Sequence, residues 1–159
     1  MYQMHTGCYF PNMNMKNPAM CMQPKNELLD LIIEAMKDER KDRAKYKRMM
    51  EKAKSEKVRK QIEFAFNDEG KHYKMFQQIY YTLTGDMINI PEATPEKYDS
   101  FMDAIESSIN GELEAVELYR KIQSMLPTMR LRDMLFEIIT DEQEHATRFT
   151  YLYAMEKDD

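Results

Sequence analysis

The chain has 159 residues, a net charge of −5 and a pI near 5.3, enough for one domain with a real core and too acidic for a nucleic-acid surface. Only four Gly and six Pro stand beside 16 Met and 10 Tyr, so helix breakers are scarce and long helices are favoured over strands. No apolar run approaches the ~20 residues needed to cross a bilayer, and residues 1–16 lack the basic start and apolar stretch of a signal peptide. These features predict a cytoplasmic protein with neither a membrane nor a nucleic acid as partner.

Residues 1–25 stand apart in composition. They hold six Met, both cysteines (Cys8 and Cys21), His5 and three Pro, without helical periodicity, and are expected to form an irregular arm. Two cysteines outside the helical part make no disulfide framework. No CxxC pair occurs, which excludes an iron–sulfur or rubredoxin-type module within this sequence. The soft Met and Cys donors of the arm would suit Cu(I), but their spacing fits no metal motif, and a packing arm is the expectation.

From residue 26 to 157 the pattern is helical throughout. Asn26 is placed to cap a first helix whose apolar stripe includes Ile32, Ala35, Met49 and Ala53. Ser55 can cap a second, with Val58, Ile62, Ala65, Phe76, Ile79 and Leu83 on one face and Gly85 as its C-terminal stop. Residues 86–94 read as a loop, and Thr94-Pro95-Glu96 as the start of a third helix. That helix carries Phe101, Ile105, Ser108, Ala115, Ile122 and Leu126. Pro127-Thr128 breaks and restarts the chain, and the fourth stripe is Leu131, Leu135, Ile138, Phe149 and Leu152. The acids and bases between Lys37 and Arg48 read as a solvated face, and Met102, Met134 and Met155 as packing residues. The expected fold is all-α, a four-helix bundle of two similar helical hairpins.

Each stripe is interrupted by polar residues in core-facing positions: Glu39 and Tyr46, Glu69 and His72, Glu112 and Tyr119, Glu142 and His145. Ionised carboxylates buried alone would cost more than a domain's ~5–15 kcal/mol of net stability. Two divalent cations remove the difficulty, since four Glu charges balance them and the imidazoles add neutral ligands. The Glu-x-x-His spacing places both side chains on one helix face. A shift of 73 positions carries Glu39, Tyr46, Glu69 and His72 onto Glu112, Tyr119, Glu142 and His145. It also carries Asp30, Ile32, Arg59, Asp68, Phe76 and Tyr80 onto identical residues. Two similar hairpins would therefore bring two half-sites face to face.

One Glu from each of two helices and a Glu-x-x-His from each of two others resemble the ligand set of ferritin-like di-iron carboxylate proteins. The Glu-x6-Tyr element in both odd helices and the similar halves resemble the rubrerythrin branch most, over residues 26–155. The resemblance implies Glu39, Glu69, His72, Glu112, Glu142 and His145 as ligands of two metal ions, iron first, with manganese or zinc as substitutes. It implies Glu69 and Glu142 as bridges, and Tyr46 and Tyr119 as groups hydrogen-bonded to ligand carboxylates. It also implies a crossover between the second and third helices, which chain length alone leaves open beside an up-down-up-down path. Two departures stand out. The rubredoxin-like site of rubrerythrins is missing, and Ala115 occupies the place of their extra third-helix Glu, with Glu114 and Glu117 off the core seam.

Three functions follow as expectations. The first is a di-iron oxidoreductase reacting with peroxide or dioxygen, with electrons from an external donor protein, Tyr46 or Tyr119 aiding proton transfer, and a homodimeric state. The second is an iron-binding or storage protein of ferroxidase type. The third is a scaffold acting through its Met-rich arm.

Overall fold

The computed structural model describes residues 24–157. The arm assigned to residues 1–25 lies, but for its last two residues, outside them. Four helices follow in order: α1 (Pro24–Lys52), α2 (Glu56–Thr84), α3 (Phe101–Met125) and α4 (Met129–Glu156). No helix among the described residues is long and apolar enough to cross a membrane.

The helix ends follow local chemistry. Ser55 caps α2, its hydroxyl accepting from the Val58 N–H at 3.2 Å, and Thr128 caps α4 by accepting from Leu131 N at 3.4 Å. α2 stops at Gly85, which takes φ 82° while its N–H donates to the Tyr81 carbonyl at 2.8 Å. Two expected starts are displaced. α1 begins at Pro24, whose fixed φ and missing N–H cost nothing at a first helical position, so Asn26 falls inside the first turn. α3 begins at Phe101 behind a Ser100 cap, whose hydroxyl accepts from Asp103 N at 3.0 Å, and not at Thr94-Pro95. Residues 94–100 are needed for another task.

That task is set by topology. α1 packs on α2 and α3 on α4 as hairpins, α2 meets α4 and α1 meets α3, and the pairs α2/α3 and α1/α4 lie across the diagonals. Tyr119 on α3 bonds Glu39 on α1, and Tyr46 on α1 bonds Glu112 on α3, so these helices run antiparallel. Since α1 also opposes α2, helices α2 and α3 are parallel, and the 85–100 connection must return along the whole bundle. α2 alone is 29 residues, about 43 Å at 1.5 Å per residue. The connection is pinned as it returns. The Ile88 carbonyl accepts from Gln77 Nε2 at 2.8 Å, Ile90 N donates to the Tyr73 hydroxyl at 2.8 Å, and the Glu96 carbonyl accepts from Arg48 Nη1 at 3.1 Å. A helix started at Thr94 would leave the chain too short for this crossing.

Inside the bundle the apolar core falls into two clusters. One gathers Ile32, Met36, Phe76, Ile79, Ile122, Leu126, Leu135 and Ile138; the other gathers Met49, Val58, Ile62, Ala65, Ile105, Phe149 and Leu152. Between them lies a layer of buried polar residues, bounded at each end by an aromatic pair. Phe76 meets Tyr119 edge-on at 5.0 Å, and Phe149 meets Tyr46 at 4.9 Å. These pairs are related by the 73-residue repeat. The solvated face expected between Lys37 and Arg48 needs a correction: Lys45 is only 6% exposed and pairs with Asp42 at 3.0 Å, because α3 covers this side of α1.

Gly85 offers a direct check. Nothing lies within 4 Å of a Cβ built there, so Gly85→Ala adds only left-handed strain. The expected loss is about 1–2 kcal/mol in denaturant unfolding, with helix content unchanged.

Candidate metal centre

All eight expected site residues lie in the polar layer, each no more than 3% exposed. Two overlapping groups form there. Glu39, Glu69, His72 and Glu142 each offer one ligand atom within 4.8 Å of the others, and so do Glu69, Glu112, Glu142 and His145. Glu69 and Glu142 belong to both. These groups could hold a metal ion each.

The spacing of the donor atoms bears on whether a cation fits. His72 Nδ1 lies 3.0 Å from Glu142 Oε1, 3.4 Å from Glu69 Oε2 and 3.6 Å from Glu39 Oε2. His145 Nδ1 lies 3.3 Å from Glu69 Oε1, 3.4 Å from Glu142 Oε2 and 3.5 Å from Glu112 Oε2. Ligands about 2.1 Å from a shared ion stand roughly 3.0–3.4 Å apart in octahedral or tetrahedral arrangements. Glu39 Oε2, Glu69 Oε1, Glu142 Oε1 and both Nδ1 atoms are buried without a hydrogen-bond partner. Buried polar atoms are rarely left so. A layer of inward-facing orphans, spaced for ~2 Å bonds, is the arrangement divalent cations satisfy.

Around this layer the outer contacts hold each donor in place. His72 Nε2 faces Asp141 Oδ2 at 3.1 Å, and His145 Nε2 faces Asp68 Oδ2 at 3.4 Å. An Nε2–H donated to a carboxylate leaves Nδ1 to face the interior as a lone pair. The hydrogen bond from His145 holds Asp68 down at about 2, against the opposing effect of burial. Tyr119 donates to Glu39 Oε1 at 2.6 Å, and Tyr46 donates to Glu112 Oε1. Burial, and then the charge of the partner carboxylate, push both phenols well above their ordinary range, so they stay protonated donors. Each Tyr holds the Glu of the opposite helix. Sequence reasoning had the Tyr contact as an implication of resemblance and missed the two Asp. Their signal was present, since Asp68 and Asp141 are equivalent under the repeat and each precedes a Glu-x-x-His.

Without metal, the layer has to neutralise itself with protons. Burial, and then the nearby charge of Glu69, push Glu39 well above the carboxylate range; burial and Glu142 do the same to Glu112. Against burial, the nearby imidazoles of His145 and His72 hold Glu69 low, and Glu112 together with the same two imidazoles holds Glu142 low. Both imidazoles are raised despite burial, led by the Asp141 bond for His72 and the Asp68 bond for His145. A layer with two neutral Glu, two ionised Glu and two imidazolium rings, the distribution these directions favour, would carry no net charge. Four ionised Glu, two neutral rings and two divalent ions also sum to zero.

Asp42 and Ala115 are equivalent under the repeat, and neither joins the groups. Burial raises Asp42 to about 6 beside Lys45, Ala115 is half-buried, and Glu114 and Glu117 are exposed.

No family model matches this chain. A protein of Bacillus subtilis (strain 168) named "Uncharacterized protein YhjR" is 33% identical over 112 residues, which make up 70% of this chain and 76% of that protein.

Two outcomes are expected. Loading two divalent ions must displace the protons held by Glu39, Glu112, His72 and His145, so apparent affinity rises with pH through the neutral range. Calorimetry in buffers of different ionisation heat should read the release of about four protons per ion pair; zero release would contradict the charge scheme. Asp68→Ala and Asp141→Ala should each weaken metal affinity about 10–100-fold, read by competition with a chelator, without changing the ions bound at saturation.

Proposed function

The chain belongs to the same family as YhjR, and we propose that it is a di-iron carboxylate oxidoreductase that reacts with hydrogen peroxide or dioxygen. The carrying observation is the pair of overlapping Glu/His groups that share Glu69 and Glu142. In this reading Glu39 and His72 would hold one ion, Glu112 and His145 the other, and Glu69 and Glu142 would be shared between them. It is the reading closest to the rubrerythrin-like pattern in the sequence.

When bound, two ferrous ions supply two electrons and a Lewis-acid surface for the oxidant. The residues do the rest. Asp68 and Asp141 fix the ring orientation of His145 and His72. Tyr46 and Tyr119 anchor one oxygen of Glu112 and Glu39, leaving the other free to turn inward. The two aromatic pairs and apolar clusters exclude water on both sides, which strengthens every electrostatic contact in the layer. Each Tyr hydroxyl, held protonated against Glu112 or Glu39, would be placed to relay a proton along that hydrogen bond, taking one up as it gives one. Two electrons and two protons would match reduction of one hydrogen peroxide to two waters, with an external donor protein needed to restore the electrons.

Iron is favoured over zinc by what the layer would do with it. A mixed carboxylate and imidazole set accepts iron, manganese or zinc, and of these zinc has no redox chemistry to offer the proposed reaction. Storage of ferroxidase type would add a large particle and many irons per chain. The test is anaerobic reduction followed by a timed peroxide challenge under optical monitoring. Stoichiometric reoxidation within the mixing experiment, lost in Glu69→Ala and Glu142→Ala, is the expected result. Reoxidation that persists in the metal-free variants, or two bound ions that ignore both oxidants, would overturn the proposal.

A further inference from the structure

Outside the centre, the wall formed by α1, α2 and the returning connection carries a second cluster of charge. Two cavities of about 290 Å3 and 440 Å3 meet there and share Arg40, Arg43 and Glu92. Lys47 lines the first; Lys71 and Lys74 line the second. Glu92 is the one acid among the described lining residues, against five cations in a chain whose net charge is −5.

The two arginines are held in place. Arg40 Cζ lies 3.8 Å over the Tyr73 ring and Arg43 Cζ 4.1 Å over the Phe66 ring. Stacking uses the flat face of a guanidinium and leaves its in-plane N–H groups free to point into the cleft. Arg43 spends one of them on the Phe66 carbonyl, at 2.7 Å. It lies across Gly70, where an added Cβ would fall 2.1 Å from its Nη1, so the glycine makes room for it. Arg40 Nε is buried with no partner. Among the described residues, Arg40, Arg43, Lys47 and Lys74 have no carboxylate within 4.0 Å; Lys71 pairs with Asp68.

The repeat supplies an independent comparison. Shifted by 73, Arg40, Arg43, Gly70, Lys71 and Lys74 fall on Leu113, Val116, Gln143, Glu144 and Thr147. The centre is duplicated in both hairpins, whereas the basic cleft is built in one only, the one roofed by the connection. Packing symmetry therefore does not explain it. Arg40, Arg43, Lys47 and Lys74 outnumber the single Glu92 of the lining and pair with no carboxylate among the described residues, and a bound anion removes the repulsion between them.

We infer that this cleft between α1, α2 and the 88–95 segment is a binding site for a phosphoryl dianion, with Arg40 and Arg43 as its principal donors. A carboxylate would satisfy one guanidinium fork. A tetrahedral oxyanion with two charges can accept from both, and from lysines on the facing helix. The cavities exceed one phosphate group, so free phosphate and the phosphate of a small organic monoester are both sources of this chemistry. A roofed, concave shape suits a small ligand better than a protein face. The site does not depend on the metal reading.

The test is calorimetric titration of the full chain in phosphate-free buffer at low ionic strength, with inorganic phosphate and, separately, glycerol 3-phosphate. Saturable one-to-one binding is expected, weakened about tenfold or more by Arg40→Gln and by Arg43→Gln, the scale of one charge-assisted contact. The exposed Lys74→Gln should weaken it a few-fold without risk to the fold, and the remote Lys121→Gln not at all. Tighter inorganic phosphate identifies the free ion as ligand, and a tighter monoester identifies a phosphorylated small molecule; either supports the site. No saturable binding at millimolar ligand, affinity unchanged in all three cleft variants, or binding lost in Glu69→Gln but kept in Arg40→Gln would overturn it. The last result would put the anion on the metal centre.

Discussion

Four carboxylates and two imidazoles buried in one layer set the terms for the rest of the bundle. Each buried charge left alone would cost a large part of the stability of a domain this size. The layer is tolerable only if its charges cancel, by protons or by the two divalent ions proposed for it. That requirement explains the long, regular helices, which place every donor at a fixed height. It explains the antiparallel α1/α3 and α2/α4 pairs, which bring the two halves of each group together. It also explains the split core, since apolar packing has to be supplied separately on each side of a polar layer.

The internal repeat makes this solution economical. One hairpin provides a Glu, a Tyr, an Asp and a Glu-x-x-His, and a second copy placed antiparallel completes each half-site. Tyr and Glu are exchanged between hairpins, Tyr119 to Glu39 and Tyr46 to Glu112, so neither hairpin holds its own buried glutamate in place alone. Where the halves diverge, the difference follows the connection. On the side it covers, α1 and α2 carry Arg40, Arg43 and Lys74; the matching positions of α3 and α4 carry Leu113, Val116 and Thr147. A symmetric centre thus sits beside an asymmetric surface.

Much of this was legible in the sequence because the signals were periodic. The seam through residues 58, 62, 65, 69, 72, 76 and 79 gave α2 and the facing of its polar members, and Ser55 and Gly85 gave its ends. The start of α3 was not legible. Thr94-Pro95-Glu96 has good capping chemistry, but the distance the connection must cover overrides local preference, and that distance depends on the topology. Lys45 was misjudged for a related reason: a charge run looks solvated until a neighbouring helix lies over it. Asp68 and Asp141 were visible as a repeated pair without a visible job, because their partners are across the bundle, at His145 and His72.

Everything in this account turns on whether the layer takes up cations in the number its geometry provides for. Elemental analysis of the full chain, purified without added metal and then loaded anaerobically, measures that number directly. Two divalent ions per chain are expected, with Glu69→Gln losing both because the residue serves both groups, while helical content by circular dichroism is kept. One ion or none per folded chain, or two ions retained in Glu69→Gln, would contradict a shared two-metal layer.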